Sequence, residues 1–123
     1  MSRKISIILI LLSIIILQGC TSYKFTPGKD TIAYFGNDAR YQILSVGTYG
    51  LADLQEQKNI ESDVYRYYED KPNVYVVGIQ GYTILNYDTS EIKHSIELKD
   101  FSDAEVKIFN SERKFRKLEH HGK

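Results

Sequence analysis

The chain has one cysteine, one methionine, two prolines, three histidines and no tryptophan in 123 residues. A single thiol cannot close an internal disulfide, so the fold has to be held by its core. The histidines are His94, His120 and His121. Two are adjacent near the end and one stands alone, which is not the clustering that a metal site requires. His94 is expected to be a half-buried, hydrogen-bonded strand residue. The glycines are dispersed, without the run that cradles a phosphate. There is no Gly-x-Ser-x-Gly elbow, and Ser95 and His94, as strand neighbours, would point to opposite faces. No Asp-x-Asp-x-Asp-Gly calcium loop occurs. An excess of positive charge is also lacking, with 16 basic against 16 acidic residues. Nothing in that balance speaks for nucleic acid. No catalytic residue, metal or dissociable cofactor is expected, and the protein is read as a non-enzyme.

What is present begins at the first residue. Arg3 and Lys4 precede an aliphatic run from Ile5 to Leu17, broken only by Ser6 and Ser13. A transmembrane helix needs roughly 20 apolar residues. This run is shorter and fits the core of a secretory signal, about 7–15 residues long. Leu17-Gln18-Gly19-Cys20 follows, and the chain turns polar at Thr21-Ser22. These four residues resemble the lipobox of bacterial lipoproteins: an aliphatic residue, a tolerant position, a small residue, then cysteine. The resemblance implies cleavage after residue 19, with diacylglycerol and acyl chains attached covalently at Cys20. It implies export and a lipid anchor in a bacterial cell membrane. In Gram-negative lipoproteins an Asp after the cysteine tends to retain the protein at the inner membrane, so Thr21 would permit delivery to the outer one. Each buried methylene adds about 0.8 kcal/mol of membrane affinity, so several chains anchor firmly.

The organisation read from this is a signal peptide over 1–19, an acylated tether over 20–30 and a single domain over 31–123. After cleavage 14 basic residues face 16 acidic ones. The ten tyrosines all lie in the mature part and, with Ile and Val, favour strands. The expected fold class is mainly β: a small antiparallel meander with a short C-terminal helix. Strands are expected at Thr31–Phe35, Arg40–Val46, Asp63–Tyr68, Val74–Gly78, Tyr82–Tyr87 and Glu91–Glu97, punctuated by turn residues. Gly47, Gly50 and Leu54 recur 31 positions later as Gly78, Gly81 and Leu85, and Ile60 recurs as Ile92. Such a spacing suggests stacked hairpin units over 47–60 and 78–92. The pattern resembles, distantly, bacterial hairpin repeats with an aromatic-Gly pair, here Tyr49-Gly50 and a reversed Gly81-Tyr82. Those carry Trp before the Gly and more copies, and the resemblance implies a meander only. Near the end, Ser102-Asp-Ala-Glu105 reads as a capping box, whereas Glu105–Phe109 alternates like a strand. A strand near 105–109 and a helix near 111–119 are expected, with one helix over 103–118 as the alternative.

Three groups of residues are candidates for function. Tyr65, Tyr67, Tyr68, Tyr75, Tyr82 and Tyr87 could form a binding surface, since tyrosine supplies contact area at low entropic cost. Ordinary strand packing is the competing reading. Asp53, Glu56, Glu61, Asp63, Glu69 and Asp70 make the middle acidic, and could hold a carboxylate pair across a cleft or serve as turn and surface residues. Arg113, Lys114, Arg116 and Lys117 form a basic stretch that could meet anionic headgroups near the anchor or face solvent. The function expected is non-enzymatic binding of an envelope or cell-surface protein by a membrane-anchored domain, of an inhibitory, immunity or exclusion type. The alternatives are an assembly accessory of an envelope complex, and a small carbohydrate-binding or hydrolytic domain.

Overall fold

A computed structural model describes residues 25–118. The signal segment, Cys20 with the first part of the tether, and His120 and His121 lie outside the described residues. The fold is mainly β, as expected, but its strands divide between two antiparallel sheets. The first contains β1 (Thr31–Phe35), β2 (Tyr41–Val46), β3 (Thr48–Asp53) and β4 (Lys58–Glu61), in that order. The second contains β5 (Val64–Asp70), β6 (Asn73–Gly78), β7 (Gly81–Asn86) and β8 (Glu91–Ser95), with a two-residue strand β9 (Arg116–Lys117) beside β5.

Each sheet begins as a meander of four consecutive strands, and the meanders start at Thr31 and Val64. The architecture therefore recurs, but not in the register suggested by the glycines. Gly81 opens β7, whereas Gly50 lies inside β3 opposite Leu44. Leu85 is fully buried in β7, whereas Leu54 lies beyond the end of β3 and is half-buried.

Alternation places one face of each sheet inward. Phe35, Tyr41, Ile43 and Leu51 from the first sheet meet Val64, Tyr67, Val74, Val76 and Leu85 from the second. Burying such a side chain contributes about 1.5–3 kcal/mol. The opposite face of the second sheet carries Tyr75 and Ile84, and the C-terminal segment covers it with Phe101, Phe109 and Phe115. The order of layers is thus sheet, sheet, C-terminal segment.

That segment corrects the expectation for residues 105–119. Helix α1 spans Asp103–Phe109, where a strand was expected. Ser102 Oγ accepts from Glu105 N–H and the Glu105 carboxylate accepts from Ser102 N–H, so the capping box is complete. These bonds satisfy donors that a short helix would otherwise leave open. They prevail over the alternating pattern. The expected helix near 111–119 is instead a 3₁₀ turn at Glu112–Lys114 followed by β9. Phe115 packs inward there, and Leu118 N–H donates to Tyr65 O, which extends the second sheet's ladder. Among the described residues no helix is long and apolar enough to cross a membrane.

The sheets have two distinct ends. At one, the turn at Gly47 between β2 and β3, the Ser62–Asp63 crossover between sheets and the turn between β6 and β7 come together. Thr48 Oγ1 donates to Ser62 O, Ser62 N–H to Gln80 Oε1, and Ile79 N–H to Asp63 O. Gly47 reverses the chain between paired Val46 and Thr48 with a φ of +96°, which favours glycine. At the other end lie the turns β1–β2, β3–β4, β5–β6 and β7–β8, the third closed by Lys71–Pro72 with a cis peptide. The chain enters at this second end. Phe25 N–H donates to Asp38 O, and Gln42 Nε2 donates to Phe25 O. The stretch expected to be a tether is thus attached to the domain from Phe25 onward.

At the crossover, Glu61 is fully buried. Its Oε2 accepts from Asp63 N–H and its Oε1 from Gln80 N–H, at 2.9 and 3.0 Å. A Cβ at Gly78 would overlap the Glu61 carboxyl carbon, so that position must stay bare. Glu61→Gln replaces one acceptor by a donor facing an N–H and is expected to cost about 2 kcal/mol. Gly78→Ala is expected to cost more. Urea denaturation of both variants measures this, and a loss below about 0.5 kcal/mol would place neither residue among the determinants of stability.

Candidate functional site

The tyrosines expected to form a binding surface are distributed between the two cores. Tyr67 and Tyr75 are buried, at 8% and 6% exposure. Tyr67 packs edge-on against Phe35 between the sheets. Tyr68, Tyr75 and Tyr82 ring the C-terminal phenylalanines: Tyr75 and Tyr82 meet Phe109 with centroids 5.4 and 5.2 Å apart, and Tyr68 meets Phe115 at 5.8 Å. Tyr67 is thus taken up by the inter-sheet core, whereas Tyr68, Tyr75 and Tyr82 meet the chain's own Phe101, Phe109 and Phe115. Tyr65 sits at a bulge in β5 between Val64 and Arg66, which interrupts strict alternation, and it is exposed.

Tyr87 is half-buried at the entry end. Its ring stacks with Phe35, and its hydroxyl donates to Glu69 Oε2 at 2.7 Å. Burial raises the Tyr87 phenol, and the bond to the Glu69 carboxylate raises it further. These two residues line a concavity of about 340 Å³ with Tyr34, Phe35, Gly36, Asn37 and Lys71. It is the place where two of the sequence candidates, Tyr87 and Glu69, meet. Tyr34 is 44% exposed there. The concavity can offer aromatic surface, an amide and a lysine, but its carboxylate is already an acceptor for Tyr87.

The carboxylates of Asp53 and Glu61 are similarly occupied. Arg40 donates through Nε and Nη2 to the two oxygens of Asp53, both at 2.8 Å. Gln55 and Glu56 N–H also donate to Asp53 Oδ1, closing the β3–β4 turn. The Arg40 bond holds the Asp53 carboxyl below the usual range, with burial opposing it. Arg40 Nη1 continues to Ser90 Oγ of the second sheet at 3.1 Å. Arg40 thus joins the two sheets at the entry end, as the Glu61 bonds do at the crossover. Asp53, Glu61 and Glu69 are held by separate partners on different elements, so these three do not form the facing pair that a hydrolytic cleft needs. Among the described residues no group of three or more His, Cys, Asp or Glu is placed to hold a metal.

His94 bonds Thr83 Oγ1 at 2.9 Å as expected, but it is exposed, because β8 is an edge strand. Ser95 Oγ, on the other face of that strand, bonds Asp100. The basic residues behave as a surface strip. Arg113, Lys114, Arg116 and Lys117 are all exposed, with Phe115 buried among them. Lys114 lies over the Tyr68 ring and Arg116 Nη1 donates to Tyr67 Oη.

Sequence reasoning passed over a further group of exposed residues. Val46, Ile79 and Ile96 are 68%, 62% and 75% exposed, the three most exposed large aliphatic side chains described. All three lie at the crossover end. Each stands beside a turn or strand terminus: Val46 before Gly47, Ile79 after Gly78 and Ile96 after β8. An aliphatic residue in the tip of a turn was the available signal.

Two measurements check this assignment of roles. Tyr67→Ala is expected to lose about 3–5 kcal/mol in urea denaturation, while Tyr65→Ala loses less than about 1 kcal/mol; equal losses would remove the distinction between core and surface. Asp53 has a folded pKa below its unfolded value. Its contribution is therefore complete above the unfolded pKa of about 3.9 and is lost as pH falls through the folded value. Stability is expected to decline below about pH 4, and Asp53→Asn to flatten that decline while costing about 2–3 kcal/mol at neutral pH. An unchanged pH profile in the variant would exclude the Arg40 pair as its source.

In comparisons with family models, curated proteins and solved structures, the chain matches none.

Proposed function

We propose that this chain is an exported bacterial lipoprotein whose folded domain is a non-enzymatic, protein-binding module held at the envelope membrane. The observation that carries the proposal is the order of its first twenty residues: Arg3-Lys4, a short aliphatic run, then Leu17-Gln18-Gly19-Cys20 and an immediate polar continuation. With Cys20 acylated, the chain has no other thiol. The geometry supports binding over chemistry. The carboxylates of Asp53, Glu61 and Glu69 each secure a turn, a crossover or a tyrosine. The aromatic face of the second sheet is filled by the C-terminal segment. What remains outward includes a basic strip at 113–117 and the exposed aliphatic side chains of Val46, Ile79 and Ile96. An inhibitory, immunity or exclusion role suits such a domain, because blocking a neighbour requires contact area and position but no reacting group.

The anchor is testable directly. Cys20→Ser is expected to abolish incorporation of labelled fatty acid and to move the protein out of the membrane fraction. Labelling and membrane association that persist unchanged in the variant would overturn the lipoprotein reading.

A further inference from the structure

The three aliphatic side chains at the crossover end, those of Val46, Ile79 and Ile96, are largely exposed. They are contributed by both sheets. Val46 precedes the β2–β3 turn, whose Thr48 is hydrogen-bonded to Ser62; Ser62 is bonded to Gln80, the neighbour of Ile79. A Cβ at Gly81 would lie 2.6 Å from Ser95 O and 2.9 Å from Ile96 Cα, so the end of β8 presses against the β6–β7 turn. The network that ties the sheets together also sets the three side chains along one end. Keeping each more than 60% exposed forfeits burial energy that the cores collect elsewhere.

We infer that Val46, Ile79 and Ile96 form the docking surface of this module, and that its occupant is a partner protein presenting an uncharged apolar groove. Three observations select that occupant. First, the chain enters at the opposite end, where Phe25 is bonded to Asp38. Cys20 lies five residues before Phe25, a contour of at most about 18 Å, so an anchor there draws the entry end to the bilayer and leaves the crossover end facing away. Second, Val46-Gly47-Thr48, Ile79-Gln80 and Ser95-Ile96 contain no lysine or arginine, and Glu97 follows directly. An anionic lipid surface would gain no charge attraction there. The basic strip of Arg113, Lys114, Arg116 and Lys117 lies instead along the β9 edge. Third, the three side chains project from turns and a strand terminus. The concavities at Ala52–Asn59, at Asn110–Lys114, at Tyr34–Tyr87 and beside Glu105 each include charged and amide side chains, at three of them beside aromatic or aliphatic ones. At these places a second copy therefore presents hollows that carry charge, not an uncharged apolar groove. Apolar anchors in a groove are the usual source of affinity in a small interface.

This inference rests on the anchored-module reading and names the surface that would serve it. The test uses the full chain in its native cells, with a photo-crosslinking amino acid at position 79 or 96 and, as control, at Glu56 in the β3–β4 turn. A discrete protein adduct at 79 and 96, absent at 56, is expected. V46D in the same chain is expected to lower that adduct roughly tenfold or more. The urea midpoint of V46D, a surface substitution, is expected to stay unchanged and shows that the fold survives. No adduct, an adduct to lipid, an adduct between copies of this chain, equal yield at 56, or an adduct insensitive to V46D overturns the inference. Fatty-acid labelling of the same samples separates the two readings. Labelled chain without the adduct sinks the docking surface alone, whereas adduct on unlabelled chain sinks the anchor alone.

Discussion

Glu61 is a buried carboxylate bonded to two backbone N–H groups, and none of the ion pairs among the described residues includes it. An isolated charge in the interior would be costly, so the two donors must be held in place for the arrangement to survive. They belong to Asp63, just past the crossover, and to Gln80, in the turn of the next hairpin. One side chain thereby fixes the last strand of the first sheet against the start of the second sheet and against its β6–β7 turn. The bare Gly78 beneath it lets the strands approach closely enough. The apolar layer between the sheets supplies more total energy, but that energy is indifferent to small slides of one sheet over the other. Directional bonds at Glu61, and at Arg40 on the opposite end, remove that freedom.

The tyrosine-rich second sheet has a comparable division of labour. Its inward face joins the inter-sheet core, while its outward face is a bed of aromatic rings. Phe109 is the centre of that bed, within 5.2–6.3 Å of Tyr75, Tyr82, Phe101 and Phe115 by ring centroid. The rings are therefore a binding surface in the physical sense, occupied from within. On the inward face, the hydroxyls of Tyr67 and Tyr87 explain the choice of tyrosine over phenylalanine, since they reach Arg116 and Glu69 from the margin of the inter-sheet core.

Much of the sheet content was legible because one periodicity governs it. Thr31–Phe35 was placed to the residue and β2, β5, β6, β7 and β8 to within two residues at either end; β3 and β4 were expected only as parts of a hairpin unit over 47–60, and β9 not as a strand. Two kinds of information were not available locally. Alternation in Glu105–Phe109 is also compatible with a helix in which Val106 and Phe109, three apart, share a face; the capping box decided between them. Burial of the tyrosines depends on a second sheet and on a C-terminal segment 19 to 47 residues further along the chain, and the bulge at Tyr65 breaks the parity on which any face assignment rests. The Arg40–Asp53 pair was equally hidden. Its members are 13 residues apart and meet because Tyr41 and Asp53 are cross-strand partners.

The first sheet is built wholly from residues before the crossover, and the described strands of the second all come after it. The chain passes between them once among these strands, at Ser62–Asp63, in a surface turn. A break in that peptide bond would leave both sheets covalently whole, to be rejoined through the shared apolar layer and the bonds of Thr48, Glu61 and Arg40. Residues 25–62 and 63–118 thus carry one sheet each, and the inward face of either sheet is covered by what lies on the far side of that single peptide bond.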